Sequence, residues 1–175
     1  MKLTYRYKSV IVPYAVLPGN DIRFILFKDT NSGDWTFVSG GCKQREDPYI
    51  CATRELFEES KRKLVMSEAC SVTSFVFDSL YRPRAHVIDD KKRNLKIVTR
   101  HVVYLVHTPF TTLGQLLKYQ QRYRKSVVSR KKKEFNETTD VMFATLGELS
   151  TSVKMWEFMQ YEVVPLVVQY FDCVV

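Results

Sequence analysis

The chain has 175 residues and a formal net charge of +8, and 45% of it is hydrophobic and 26% charged. That is enough chain for one domain with its own core, and too much aliphatic and aromatic content for a chain disordered throughout. No apolar run reaches the roughly 20 residues of a membrane-spanning helix. Met1–Tyr7 lacks the apolar region of a signal peptide, so an intracellular, cytoplasmic protein with no membrane partner is expected.

Lys8–Leu17 is rich in β-branched residues and reads as a strand, with Pro13 predicting an edge position or a bulge. Pro18-Gly19-Asn20-Asp21 is a turn. Ile22–Phe27 is a second strand, Asp29–Asp34 a loop, and Trp35–Val38 a short strand that delivers the chain to Gly40 and Gly41. Cys42, Cys51, Cys70 and Cys173 show no Cys-x-x-Cys spacing and read as free thiols, Cys42 as a small space-filler.

Asp47 and Pro48 suit the N-cap and first position of a helix. At about 100° per residue, Ile50, Ala52, Thr53, Leu56 and Phe57 fall on one side of it, and Glu55, Glu58 and Glu59 on the other. Carboxylates so close repel one another. A hard divalent cation, Mg²⁺ or Mn²⁺, offsets that repulsion because it prefers carboxylate oxygen; a solvated acidic face is the alternative reading.

The spacing of this stretch resembles the Nudix box. Gly40 is followed after five residues by Glu46, and after seven more by Arg54-Glu55-Leu56-Phe57-Glu58-Glu59, and every fixed position through Glu59 matches. Lys61 and Arg62 then stand where the family has a glycine and an aliphatic residue. Those positions end the helix, so the departure predicts a helix that runs on to Lys63 or Leu64, with Lys61, Arg62 and Lys63 against its C-terminal dipole.

The resemblance implies an α/β Nudix fold, a mixed sheet sandwiched between helices, as a single domain over 1–175. It implies a pyrophosphohydrolase that uses Mg²⁺ or Mn²⁺. Glu55, Glu58 and Glu59 would hold the metal with the Gly40 carbonyl as an extra ligand, Glu59 being the first choice for direct contact. Arg54 would orient the carboxylates by pairing with Glu46 or Glu58, which makes Glu46 structural. A further carboxylate is expected from the acidic loop 134–140, Glu137 ahead of Glu134, and either Glu55 or Glu137 would activate the attacking water.

Ser71–Leu80 and Leu95–His107 read as strands joined by a polar segment, Tyr81–Asn94, expected as a hairpin loop. His86 and His101 have no metal-ligand spacing and are expected to be structural or exposed. Thr111–Arg124 has helical character and leads into a basic run. Between Thr111 and Lys133 there are eight basic residues and no acidic one, so the net charge of the chain is local. Arg122, Arg124, Lys125, Arg130, Lys131, Lys132 and Lys133 are therefore expected to bind a phosphate-rich partner, with Tyr119 and Tyr123 among them to stack on bases; a solvated basic insertion is the alternative. Val141–Leu146 is a last strand, and Val153–Phe171 a helix interrupted near Pro165.

Three functions follow. The basic run favours cleavage of the 5′ cap of RNA, and the interrupted box with a basic insertion resembles virus-encoded decapping members of the family. A hydrolase of a nucleoside triphosphate, a dinucleotide polyphosphate or a diphosphoinositol phosphate accounts for the same charge. A non-catalytic RNA-binding Nudix module is the third, opposed by the presence of Arg54, Glu55, Glu58 and Glu59.

Overall fold

The computed structural model describes residues 2–78, 87–90, 95–128 and 137–174. The β-branched run extends further than Lys8–Leu17: β1 is Lys2–Leu17, β2 Asp21–Asp29, β3 Trp35–Thr36 and β4 Val38–Gly41. After helix α1, Pro48–Glu59, come β5, Ser71–Asp78, β6, Val87–Asp90, and β7, Leu95–His107. Helix α2, Leu113–Val128, β8, Thr138–Ala144, and α3, Leu146–Thr151, follow. A π-helical turn, Met159–Val163, then leads into α4, Val164–Val174.

The described strands form one mixed sheet in the order β3-β2-β1-β7-β5, with β4 also on β1, β6 on β7 and β8 on β2. β1 is thus central, so of the edge position or bulge that Pro13 predicted, the edge does not hold. It runs parallel to β7 from Lys2↔Leu95 to Tyr14↔His107. On its other edge β4 pairs with Lys8–Ile11 and β2 with Tyr14–Leu17. Pro13 falls where that edge changes partner, a place where the ladder is already interrupted. The expected hairpin loop 81–94 contains β6, whose Val87–Asp90 pairs antiparallel with Leu95–Val98 of β7.

Side chains alternate across the sheet as strand geometry requires, and each face has its own core. Ile11, Ala15, Ile25, Phe27, Val102 and Tyr104 pack with Ala52 and Leu56 of α1 and with Leu116, Tyr119 and Tyr123 of α2. Val10, Val12, Phe24, Leu26, Val103 and Leu105 pack with Phe158, Met159, Val163, Val167 and Phe171. This is the expected sandwich. Tyr119 and Tyr123 are buried in it, so they are core residues and not the base-stacking platform predicted for them. His101, also buried, stacks on Phe77 at 5.2 Å and lies 4.6 Å from Phe158.

The C-terminal helix differs from the prediction in detail. Val164 N–H reaches back to the Met159 carbonyl, a π-helical step just before Pro165. Such a widened turn is where a helix absorbs a residue that lacks a backbone donor.

α1 starts as predicted, with the Asp47 carboxylate accepting from Tyr49 N–H and Pro48 in the first turn. It ends at Glu59, against the expected continuation to Lys63 or Leu64. Arg62 N–H bonds the Phe57 carbonyl at 2.7 Å and Lys61 N–H the Glu58 carbonyl at 3.2 Å, the pair of bonds that closes a helix with a left-handed residue just past its cap. Lys61 and Arg62 adopt φ of +57° and +63°. A lysine therefore takes the backbone conformation that glycine provides without steric cost. Lys61→Gly and Lys61→Ala both delete the buried side chain and differ in left-handed strain. Chemical denaturation should find the glycine variant more stable by about 1 kcal/mol; equal stability contradicts the strain.

Candidate active site

Antiparallel pairing with β1 sets β4 so that Gly40 lies opposite Ser9 and Gly41 opposite Lys8. α1 crosses this strand closely. A Cβ on Gly40 would overlap the Glu55 carboxylate, so a residue without a side chain is required there. The Gly40 carbonyl accepts a weak bond from the Cys51 thiol at 3.7 Å.

Arg54 organises the carboxylates. Its Nε and Nη2 donate to Glu46 Oε1 and Oε2, both at 3.0 Å. Its Nη1 donates to Glu55 Oε1 at 2.5 Å and lies 3.6 Å from Glu58 Oε2. The backbone N–H of Lys43 adds a bond to Glu46 at 2.8 Å. The Arg54 guanidinium, with that backbone donor, holds the Glu46 pKa down to about 2.

The acidic side of α1 is not solvated. Glu55 and Glu59 are 8% and 5% exposed, whereas Ile50 and Phe57, assigned to the apolar face, are 56% and 38% exposed. The buried face is Cys51, Ala52, Glu55, Leu56 and Glu59. Burial pushes the Glu59 pKa well above the ordinary carboxylate value; the charges of Glu55 and Glu137 push the same way, and Ser39 N–H and the Lys8 ammonium oppose them. Burial also raises Glu55, against the bond from Arg54. Behind Glu59, Tyr123 Oη and Thr138 Oγ1 lie 3.2 and 3.1 Å from its backbone carbonyl and 2.5 Å from each other, and their two hydroxyl protons fill two of these three contacts. α2 and β8 thereby fix the last residue of α1.

In front of Glu59 is a cleft of about 290 Å³, lined by Lys8, Ser39, Glu137, Thr138 and Trp156 among others. Glu137 immediately precedes β8, tied by its carbonyl to Thr30 N–H at 2.9 Å. Fold topology thus brings Gly40, Glu46, Arg54, Glu55, Glu58, Glu59 and Glu137 to one place. Lys8 and Trp156 were not anticipated, since nothing in sequence marks a strand lysine or a lone tryptophan as lining this cleft. Of the basic residues, Arg122, Arg124 and Lys125 lie on the exposed side of α2, and Arg124 is paired with Asp140 at 2.7 and 3.2 Å. His86, Arg130, Lys131, Lys132, Lys133 and Glu134 lie outside the described residues.

Among the described residues no three acidic, thiol or imidazole side chains form a ready-made metal shell. The donor chemistry of the cleft still fits a hard cation. It is carboxylate oxygen with a nearby backbone carbonyl, and the raised Glu55 and Glu59 mark negative charge that the protein itself leaves undercompensated. No described helix is long and apolar enough to cross a membrane.

Two consequences are measurable. Glu46 has a folded pKa below the ordinary 4.5, so its stabilisation is present in full above pH 4.5 and is lost as pH falls toward about 2. Acid unfolding of Glu46→Gln should therefore lose less stability through that window than wild type does; parallel curves contradict this. Glu59 has the opposite sign. Glu59→Gln in metal-free protein at pH 7 should raise the melting temperature, by about 2–4 °C for each kcal/mol of relieved charge burial, and a lower melting temperature contradicts it.

Neither a family model nor a curated protein matches the chain by sequence. In structure it is similar to the Ap4A hydrolase of C. elegans, at 12% identity and a TM-score of 0.54, over 98% of this chain and 100% of that one. It is similar to the NUDIX domain of NrtR from Shewanella oneidensis, determined with ADP ribose, at 12% identity and a TM-score of 0.60, over 100% and 91%. RenU, a Nudix hydrolase from M. smegmatis, is similar at 9% identity and a TM-score of 0.57, over 95% and 86%. Likeness across nearly the full length of each chain, at so little identity, establishes the architecture: this chain has the Nudix fold, with a box that matches through Glu59 laid across β4 and α1.

Proposed function

We propose that the chain is a divalent-metal-dependent hydrolase that cleaves a diphosphate linkage in a nucleotide-derived substrate, with the 5′ cap of RNA as the first substrate to test. The observation that carries this is buried Glu59 lining one cleft with Glu137, while the charge of buried Glu55 acts on Glu59 and Arg54 joins Glu55 to Glu58. Glu55, Glu58, Glu59 and the Gly40 carbonyl are the residues to hold Mg²⁺ or Mn²⁺, Glu59 most directly. When bound, the metal supplies positive charge against the phosphate oxygens. Arg54 keeps Glu55 and Glu58 oriented and is itself anchored by Glu46, the kind of outer contact that fixes ligand geometry. Glu137 lines the cleft and is the group to accept the proton of the attacking water, with Glu55 the alternative.

The nucleotide part of the reading is supported by similar structures, an Ap4A hydrolase and a domain that binds ADP ribose. The RNA part rests on the local positive charge of residues 111–133. With Arg124 held by Asp140, it falls to Arg122, Lys125 and the run Arg130–Lys133. A small dinucleotide polyphosphate is the second reading, supported by the similar Ap4A hydrolase structure.

The test is product release from cap-labelled RNA with Mn²⁺, beside free dinucleotides and diphosphoinositol phosphates, for wild type and Glu59→Gln. Release of a capped nucleoside diphosphate, reduced about 100-fold or more in the variant, is the expected result. A log–log salt slope of roughly −0.7 per phosphate contact should accompany it. Turnover of small molecules alone removes RNA as the substrate. Equal turnover by both proteins, or none by either, removes the hydrolase reading.

A further inference from the structure

Lys8 stands in the middle of β1, opposite Gly41 of β4 and His101 of β7. Its side chain enters the cleft that Glu59 and Glu137 line. A lysine stem normally carries its charge out to water. Here Nζ lies 5.2 Å from the centre of the Trp156 ring and 6.0 Å from that of Phe158; burial pushes its pKa down, and the charges of Glu59 and Glu55 oppose that in part. Phe158 is buried and in turn packs on Trp156 at 5.5 Å and on His101 at 4.6 Å, so the two rings form a fixed wall. The wall restrains a flexible cation that, as a salt bridge alone, would be poorly held.

This placement has an electrostatic difficulty. A resident ammonium near Glu55 and Glu59 competes with a cation for the same carboxylates and weakens metal binding. A lysine there is useful only if an anion comes to it once those carboxylates are engaged. A diphosphate carries more charge than its contacts with one cation neutralise, and an ammonium within the cleft is placed to meet the remainder.

We propose that Lys8 binds the substrate's diphosphate directly, as a specificity-determining cation beside Glu59, and that Trp156 and Phe158 hold it in position. This rests on the diphosphate-hydrolase reading for its biological meaning but not for its test. The probe is α,β-methylene ADP, a nucleoside diphosphate whose bridge resists hydrolysis, titrated calorimetrically into wild type, Lys8→Met, Lys8→Arg and Trp156→Ala at saturating Mn²⁺. Mn²⁺ affinity is measured separately on each protein.

Loss of a charged contact should weaken probe binding by Lys8→Met roughly 10- to 100-fold, with Lys8→Arg recovering part of the loss. Trp156→Ala should weaken it by roughly two- to fivefold. Mn²⁺ should bind Lys8→Met at least as tightly as wild type. Equal probe affinity in wild type and Lys8→Met overturns the proposal and leaves Lys8 a counterion of the glutamates, as does a wild type that does not bind the probe. If wild type binds the probe yet shows no turnover that Glu59→Gln abolishes, the hydrolase reading fails while the Lys8 assignment stands.

Discussion

Two carboxylates on one helix, Glu55 and Glu59, are held almost out of reach of water, and the rest of the site is arranged around that constraint. Unit charges 4 Å apart repel by about 1 kcal/mol in water and by several times more where the effective dielectric constant is about 20. Such a pair persists only if the surrounding fold holds it in place. β4 gives way at Gly40, where any side chain would strike Glu55. Arg54 neutralises Glu55 and Glu58 from one end of the cluster while Glu46 fixes the arginine. Ser39 N–H and Lys8 act on Glu59 from the other. The Nudix architecture in this chain is therefore a scaffold that buries negative charge and leaves it incompletely compensated, which is the condition for recruiting a cation.

The grip on Glu59 extends beyond the box. Tyr123 of α2 and Thr138 of β8 form a hydroxyl pair that bonds its carbonyl, so the helix that carries much of the positive charge also secures the end of α1. The same helix exposes Arg122, Arg124 and Lys125 on its outer side. One element thus joins the buried acidic site to the basic surface, through a tyrosine that sequence reading had placed on the outside.

Much of the fold was legible because it depends on spacing. Alternation marked the strands, and Asp47-Pro48 marked the start of α1. The fixed distances from Gly40 to Glu46 to Glu59 marked the loop and helix that meet at the cleft. What failed depends on tertiary surroundings. A helical wheel gives the angle between side chains but not which side the protein covers, so it leaves a solvated acidic face open as an alternative to metal binding and places Ile50 and Phe57 on the apolar face although they are exposed. Pro13 predicts an edge or a bulge, and the interruption it marks is a change of strand partner along one edge of a central strand, which leaves no local trace in sequence. Lys61 and Arg62 in place of the family's glycine and aliphatic residue predict a helix that runs on, yet the closing hydrogen bonds of Arg62 and Lys61 go with a left-handed backbone at both. Lys8 and Trp156 meet only because β1 and the segment before the π-helical turn are brought together across 148 positions of sequence, 156 − 8.

The claim on which the account stands is that Glu59 is a strained, undercompensated carboxylate in the metal-free chain. Its side-chain carboxyl carbon, labelled with ¹³C and followed by NMR through a pH titration with and without Mg²⁺, reads this directly. The account predicts a pKa well above 4.5 in metal-free protein and a fall below that value when Mg²⁺ is added. A metal-free titration near 4.5, unchanged by Mg²⁺, would contradict it.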